Sequence, residues 1–439
     1  MTLLALGISH RSAPLRVLDT VALDQDQADE LAAELTASEV VTEALVLATC
    51  NRVEVYADVT RFHPAVAAVI DLLAKATGTD RGPLIEHSYV HFDSAAVAHL
   101  FAVTAGLDSM VVGEAQILGQ VRSGLVRAQE AGTAGRELNG AVQRALRVGK
   151  RVHAETGIDG RGASIVSVAL DAAEGLLGDL SGRRVLIVGA GSMGALAAST
   201  VTGRGVRDLT IANRSLDSAE RIAAGLPAAR AAGLADLAAL LGDADVAVFC
   251  TGAQDTVADR QLIATARSPK SAQPLVVLDL ALPHDTDPAI AELPGVTRID
   301  LSRLAALPAT TASEIDVHAA RGIVADEVET FLADVAAQQV EPTLVSLRAH
   351  AGSVLDAEMS RLRLRLGGLD EATLTEVERA MRRAMAALLH NPTVRMKQLA
   401  SQPGGNRYAE ALSALFDLDP SLPASVVDPS GELDRGGRR

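Results

Sequence analysis

A chain of 439 residues exceeds what one hydrophobic core holds, so two or three domains are expected. Apolar residues make up 48%, aromatics only 2% and Trp is absent, so Ala, Leu and Val must fill the interior, as suits helices and buried parallel strands. Two distant cysteines exclude a disulfide framework or zinc spacing, a formal charge of −15 opposes general nucleic-acid binding, and no apolar run approaches the ~18 residues of a membrane span.

The opening run, residues 1–6, is too short for a signal peptide and is followed by His10-Arg11, so a reducing, cytoplasmic setting with no membrane contact is expected. Residues 1–155 begin with strand-like and helical segments in alternation. Within them, Leu45 to Tyr56 reads as strand, tight turn, strand, with Thr49-Cys50-Asn51-Arg52 at the turn. A thiol there is exposed at a strand end, beside a guanidinium that favours its thiolate. From Ser94, expected as a helix cap, the pattern turns helical. His99 lies on an Ala-Leu helix, where a lone histidine by itself reads as a core or surface residue. A second helix starts near Glu114, and its Gln116 and Gln120 share a face at i, i+4. Arg144, Arg147 and Arg151 fall on one side of a later helix, with Lys150 adjacent, and read as a solvated basic face.

Residues 156–310 follow another grammar. The apolar runs 185–188, 209–212, 246–250 and 275–280 alternate with Ala-rich helical stretches, the mark of a parallel sheet with crossover helices. Gly189-Ala190-Gly191-Ser192-Met193-Gly194 joins the first run to a helix as GxGxxG. Its glycines serve a tight turn, close approach to a pyrophosphate and helix–strand packing. Asn213-Arg214-Ser215 ends the next strand without a carboxylate for the ribose, and an Arg there suits a 2′-phosphate, so NADPH is the expected cofactor. Cys250 reads as packing, and Asp279 to His284 as a wall of the nicotinamide pocket. Residues 311–416 are helical, with Pro342 and Gly367-Gly368 as interruptions. There Leu374, Val377, Met381, Met385 and Leu388 make an apolar helix face suited to a homodimer. Residues 417–439 are poor in core formers and read as a disordered tail.

These segments converge on one family. Gly7-Ile8-Ser9-His10-Arg11-Ser12-Ala13-Pro14, the Thr49 to Arg52 turn, the long run 106–120 (Gly106 to Gln120), Gly149-Lys150-Arg151-Val152-His153-Ala154-Glu155-Thr156 and the glycine loop resemble glutamyl-tRNA reductase. The resemblance covers roughly residues 1–415. It implies an α/β protein: an N-terminal α/β catalytic domain, a Rossmann-like NADP-binding domain, and an all-helical dimerisation domain joined by a long linker helix. It also implies that Cys50 takes the glutamyl group from glutamyl-tRNA as a thioester, which NADPH reduces to glutamate-1-semialdehyde for tetrapyrrole synthesis. By the same resemblance Thr49, Asn51, Arg52, Ser109, Glu114, Ala115, Gln116 and Gln120 bind substrate, Arg52 holding its γ-carboxylate and Glu114 its α-ammonium. His99 matches a residue needed for activity, as proton donor or orienting group. A resident metal is not expected, and glutamate-1-semialdehyde aminotransferase is the implied partner.

The chain departs from the family's usual pattern at Pro283-His284, where Pro-Arg is common, and at Arg11-Ser12, where Lys-Thr is. Two other readings stay open. A shikimate-dehydrogenase-like NADP oxidoreductase fits the central segment but leaves Cys50 and residues 106–120 without a role. A non-catalytic tRNA- or partner-binding scaffold is opposed by the intact Thr49 to Arg52 turn.

Overall fold

The computed structural model describes residues 2–49, 51–158, 164–253, 255–267, 273–306, 314–366, 368, 370–400 and 406–418. It divides into two compact units, Met1–Val328 and Glu329–Arg439.

The first unit holds two sheets. β1 (Leu3–Ser9), β2 (Val41–Thr49), β3 (Arg52–Val59) and β4 (Tyr89–Phe92) pair antiparallel in the order β2-β3-β1-β4. Successive strand side chains point to opposite faces. In β3, Val53, Val55, Ala57 and Val59 therefore meet one core with Leu18 of α1 (Leu15–Val21), Leu31 and Leu35 of α2 (Gln25–Thr36) and Val69 and Leu73 of α3 (Phe62–Thr77). Arg52, Glu54 and Tyr56 share the opposite face. After α4 (Arg81–His87), that side is packed by α5 (Ser94–Thr104), α6 (Gln116–Glu130) and α7 (Arg136–Glu155).

Ser94 is not the cap of α5. The helix begins at Ser94 itself, and Asp93 (φ 52°, ψ −120°) takes the cap position without a side-chain bond. Its N–H is drawn 2.7 Å from the Leu3 carbonyl, so the sheet edge sets where the helix starts. The basic face of α7 is also partly used internally: Arg144 Nε and Arg151 Nη1 reach Glu327 at 2.8 and 2.9 Å.

The second sheet is doubly wound. α8 (Ile165–Leu177) leads into β5 (Arg184–Val188), α9 (Ser192–Gly203), β6 (Asp208–Asn213), α10 (Leu216–Ala223), β7 (Ala229–Gly233), α11 (Leu237–Asp243), β8 (Val246–Phe249), α12 (Arg260–Ala266), β9 (Leu275–Asp279), β10 (Val296–Asp300) and α13 (Leu301–Ala305). All neighbouring strands run parallel in the order β10-β9-β8-β5-β6-β7, so the order reverses between β5 and β8. α8, α9, α10 and α13 bury one face, α11 and α12 the other. Such a reversal opens a crevice at the strands' carboxyl ends, where dinucleotides bind.

α14 (Glu314–Arg365) runs from the first unit into the second, where α15 (Glu371–Ala400) and α16 (Asn406–Phe416) join it. The break expected around Gly367-Gly368 is present, but Pro342 lies inside α14 and does not end it. Proline removes one helical hydrogen bond at roughly 3 kcal/mol. Val340 and Leu344 on either side are buried against Met396 and Ala400 of α15, and that burial offsets the loss. Among the described residues no helix is long and apolar enough to cross a membrane. From residue 419 on, the tail lies outside the described residues.

Candidate functional site

The hairpin β2–β3 pairs Thr49 with Arg52, leaving a two-residue connection, positions 50 and 51. Cys50 itself lies outside the described residues. Asn51 donates its N–H to Thr49 Oγ1 at 3.2 Å, and its carbonyl accepts from His10 N–H at 3.0 Å, which ties the turn to the end of β1. Opposite this turn lies the loop between α5 and α6. Gly113 (φ +89°) approaches so closely that a Cβ there would sit 2.1 Å from the Ile158 carbonyl oxygen. Its N–H bonds the Gly106 carbonyl at 2.9 Å, folding the loop back on itself and aiming Ser109 and Glu114 at the hairpin.

Between them is a pocket lined by Thr49, Asn51, Arg52, Ser109, Glu114, Gln116, Ile117 and Gln120. Seven of the substrate residues expected from sequence thus converge, joined by the unexpected Ile117. Ala115 does not line it; it is exposed and starts α6 from the N-cap position. Asn51 Oδ1, Glu114 Oε1 and both side-chain polar atoms of Gln116 are buried without a partner. Each unmet buried polar group costs about 1–3 kcal/mol, so this wall is built for a polar guest. Burial pushes the Glu114 carboxyl up to about 7, although the Ile165 N–H draws it back down.

Arg52 does not stand free in the pocket. Only 2% exposed, it gives Nη1 to Glu54 Oε1 (2.7 Å) and Asp108 Oδ2 (3.1 Å), and Nη2 to the Asp108 carbonyl. Nε and the second Nη2 hydrogen are not used by these contacts, so a substrate carboxylate would meet one edge of the fork. His99 does not line the pocket. Its Nε2 lies 2.9 Å from Glu54 Oε1, which also accepts from the Tyr89 hydroxyl. Glu54, Tyr89 and Asp108 were not singled out from sequence. The available signal was polar residues at 52, 54 and 56, every second position of a strand, which share one face.

The cofactor half begins where β5 ends. Gly189 (φ +119°) lies against Cys250, and a Cβ on Gly194 would sit 2.1 Å from the Gly189 carbonyl oxygen. Gly191, by contrast, has no neighbour within 4 Å of where its Cβ would be. It precedes α9 with no side-chain cap, and Gly191 and Ser192 are exposed. Open space before uncapped helix N–H groups fits a pyrophosphate. Met193 packs against the core. Asn213 Oδ1 accepts from Ala190 N–H at 3.3 Å while its Nδ2 donates to the Ser215 carbonyl at 3.1 Å, so Asn213 braces the loop. Arg214 and Ser215 are exposed beside it.

Cys250 is buried in the core, its thiol pushed up by burial first and then by Asp285 and Asp279, as expected of a packing residue. Asp285 holds the loop after β8, accepting from Thr251 N–H (2.7 Å) and Oγ1 (2.5 Å). His284 lies 3.7 Å from Asp279 and 3.9 Å from Asp19. The two halves meet in this unit. Val111 joins the core around α8, and Leu282 packs against both cores.

Three family matches tile the chain. "Glutamyl-tRNAGlu reductase, N-terminal domain" matches residues 6–156, "Shikimate / quinate 5-dehydrogenase" 171–307, and "Glutamyl-tRNAGlu reductase, dimerisation domain" 319–418. The dehydrogenase likeness is therefore confined to the central segment. Glutamyl-tRNA reductase of Thermobifida fusca is 46% identical over 99% of both chains. Glutamyl-tRNA reductase 1 of a Nocardioides species is 48% identical over 98% of this chain and all of its own. The solved glutamyl-tRNA reductase of Methanopyrus kandleri is 27% identical, covers 94% of this chain and 98% of its own, and has a TM-score of 0.48. On these full-length identities, this chain belongs to the glutamyl-tRNA reductase family.

Proposed function

We propose that the chain reduces the glutamyl group of glutamyl-tRNA to glutamate-1-semialdehyde with NADPH, releasing free tRNA, as an early step of porphyrin and 5-aminolevulinate formation. The observation that carries this reading is the cluster of unpartnered buried polar atoms on Asn51, Glu114 and Gln116, in a pocket bordered by the turn that contains Cys50. Cys50 Sγ attacks the ester carbonyl, a C–S bond forms, the ester C–O bond breaks, and the tRNA ribose leaves as a hydroxyl carrying the thiol proton. Glu114 takes the α-ammonium, the free edge of Arg52 takes the γ-carboxylate, and Thr49, Asn51, Ser109, Gln116 and Gln120 supply neutral hydrogen bonds. Residues 189–194 and 213–215 would hold NADPH, which would supply the hydride needed to turn the thioester into aldehyde and thiol. His99 supplies or orients the proton. NADPH oxidation that depends on charged tRNA tests the whole reading; oxidation with shikimate instead would overturn it.

Glu114 gives the reaction a pH signature. A carboxyl titrating near 7 is half charged there, so kcat/KM should rise as pH passes through 7 and the ammonium gains its partner. Glu114→Gln should flatten that rise and lower kcat/KM about 10- to 100-fold, the worth of one charge-assisted hydrogen bond. Stability moves the other way. A folded pKa raised above 4.5 gives stability that is full below 4.5 and is lost as pH rises through 7. Glu114→Gln should therefore gain in Tm over the unmutated chain at pH 8 and not at pH 4. An unchanged Tm difference across that range would contradict the burial of this carboxyl.

NADPH should be preferred over NADH by about 10- to 100-fold, because exposed Arg214 offers a charge-assisted fork to a 2′-phosphate and no carboxylate opposes it. Arg214→Ala should close most of that gap by raising KM for NADPH. Equal kcat/KM for both cofactors in the unmutated chain would refute the assignment.

We place the domain boundaries at 155/156 and 310/311, with the helical region 311–416 forming a two-fold homodimer. On α15, Met381 and Leu388 are 42% and 76% exposed within one chain, apolar surface suited to a second copy. A chain cut before Thr343 should be monomeric by light scattering, and a persisting dimer would overturn this. The reactive aldehyde suits direct handover to glutamate-1-semialdehyde aminotransferase; no co-sedimentation of the two proteins would count against it.

A further inference from the structure

We propose that Glu54 is a positioning residue: its buried carboxylate fixes the proton of His99 on Nε2 and leaves Nδ1 as the working atom of the imidazole. Gly7 of β1 is paired with Glu54 on one side and with Tyr89 on the other, so the three lie in a row across the sheet. Any side chain at position 7 would separate the outer two, and a Cβ there would lie 2.6 Å from Glu54 Cγ. The bare glycine lets the carboxylate of Glu54 and the hydroxyl of Tyr89 meet.

Around that carboxylate the donors are arranged on both oxygens. Oε1 accepts from Arg52 Nη1 at 2.7 Å, from His99 Nε2 at 2.9 Å and from the Tyr89 hydroxyl, and Oε2 accepts from the Tyr56 hydroxyl at 2.5 Å. Burial pushes the Glu54 carboxyl up, but the Arg52 guanidinium and the His99 and Tyr56 bonds outweigh it and hold the group well below the usual carboxylate range. An ionised carboxylate only accepts, so the hydrogen between it and His99 belongs to Nε2. Nδ1 makes no hydrogen bond among the described residues. The ring is also fixed in plane, stacked on His91 at 4.4 Å and met edge-on by Tyr89 at 5.2 Å. Burial pushes the His91 imidazole below its ordinary value.

Arg52 touches both the carboxylate and the pocket, so Glu54 links the substrate cavity to a histidine outside its lining. The comparable arrangement in hydrolytic triads holds one imidazole tautomer ready, and its loss lowers turnover by ~10⁴-fold. The catalytic consequence rests on the reductase reading above; the tautomer does not.

The test uses the full-length protein with ¹⁵N-labelled imidazoles, the His99 signals being assigned through His99→Asn. The expected spectrum shows Nε2–H and a bare Nδ1 at pH 8. In Glu54→Gln the tautomers should mix, because an amide can donate or accept. Glu54→Asp keeps a negative charge in the network but is one methylene shorter, so its oxygens draw back from the Oε1 position that Arg52 and His99 share, and it should show the same mixing even if the amide variant does not fold. Reductase kcat should fall about 10²- to 10⁴-fold in both, with KM for glutamyl-tRNA within threefold and tRNA release without NADPH retained. Combining either change with His99→Asn should add no further loss. An unchanged His99 tautomer in both variants overturns the proposal, as do losses that multiply in the double variants. A tautomer shift without any effect on kcat overturns Nδ1 as the working atom, whereas absence of reductase activity in the unmutated chain would locate the error in the reductase reading.

Discussion

Cys50→Ser is expected to reduce aldehyde formation by about 10⁴- to 10⁶-fold while leaving NADPH and tRNA binding within threefold of the unmutated chain. A hydroxyl in place of the thiol keeps the size of the side chain but loses a nucleophile that is partly ionised near neutral pH. No other thiol lines the pocket among the described residues: its walls are Thr49, Asn51, Arg52, Ser109, Glu114, Gln116, Ile117 and Gln120, and the hydroxyls of Thr49 and Ser109 are far weaker nucleophiles than a thiolate. The other cysteine offers no substitute. Cys250 is buried in the core of the parallel sheet with its thiol pushed up, so it is inert. Steady-state NADPH oxidation with glutamyl-tRNA, together with gel-shift and fluorescence binding, separates the two effects. Reductase activity above about a tenth of the unmutated level in the serine variant would remove Cys50 from the chemistry.

The second large effect is expected at the glycine loop, where two neighbouring glycines should fail in different ways. In Gly194→Ala the new methyl would lie 2.1 Å from the Gly189 carbonyl oxygen, a backbone atom that cannot step aside. The loop must open, its N–H groups lose their aim, and NADPH binding should weaken about 100-fold or more, alongside roughly 1–3 kcal/mol of lost stability. Gly191→Ala meets no neighbour and keeps an ordinary backbone (φ −81°, ψ −167°). Its Tm should stay unchanged, yet the methyl enters the space where a pyrophosphate would approach, so NADPH affinity should still drop. Titration calorimetry beside thermal melts measures both. NADPH binding unaffected by Gly191→Ala would move the phosphate site away from this loop.

What could be read from the sequence was what local spacing controls. The hairpin around residue 50 and the strand before Gly189 follow from runs a few residues long, and the structure ends β2 at Thr49 and β5 at Val188 accordingly. The membership of the pocket came through the resemblance in residues 106–120, where two positive-φ glycines, Gly106 and Gly113, fold the loop toward the hairpin. The Glu54 network was not legible, because His99 is 45 residues from its partner and only the registers of β1, β3 and β4 bring them together. For the same reason Arg52 read as a free substrate clamp, whereas Asp108 and Glu54 occupy much of its fork. β7, Ala-Arg-Ala-Ala-Gly, was missed because an edge strand that gains its place by pairing with β6 needs few β-formers of its own. Pro342 misled in the other direction, since tertiary burial across α14 and α15 overrides its local preference.

The central claim, a glutamyl thioester at Cys50, is tested most directly by intact-protein and peptide mass spectrometry after mixing the chain with glutamyl-tRNA in the absence of NADPH. The expected result is one glutamyl adduct per chain, localised to the peptide containing Cys50, released by hydroxylamine and lost on adding NADPH as the aldehyde appears. An adduct on any other residue, or rapid aldehyde formation with no adduct at Cys50 under these conditions, would contradict it.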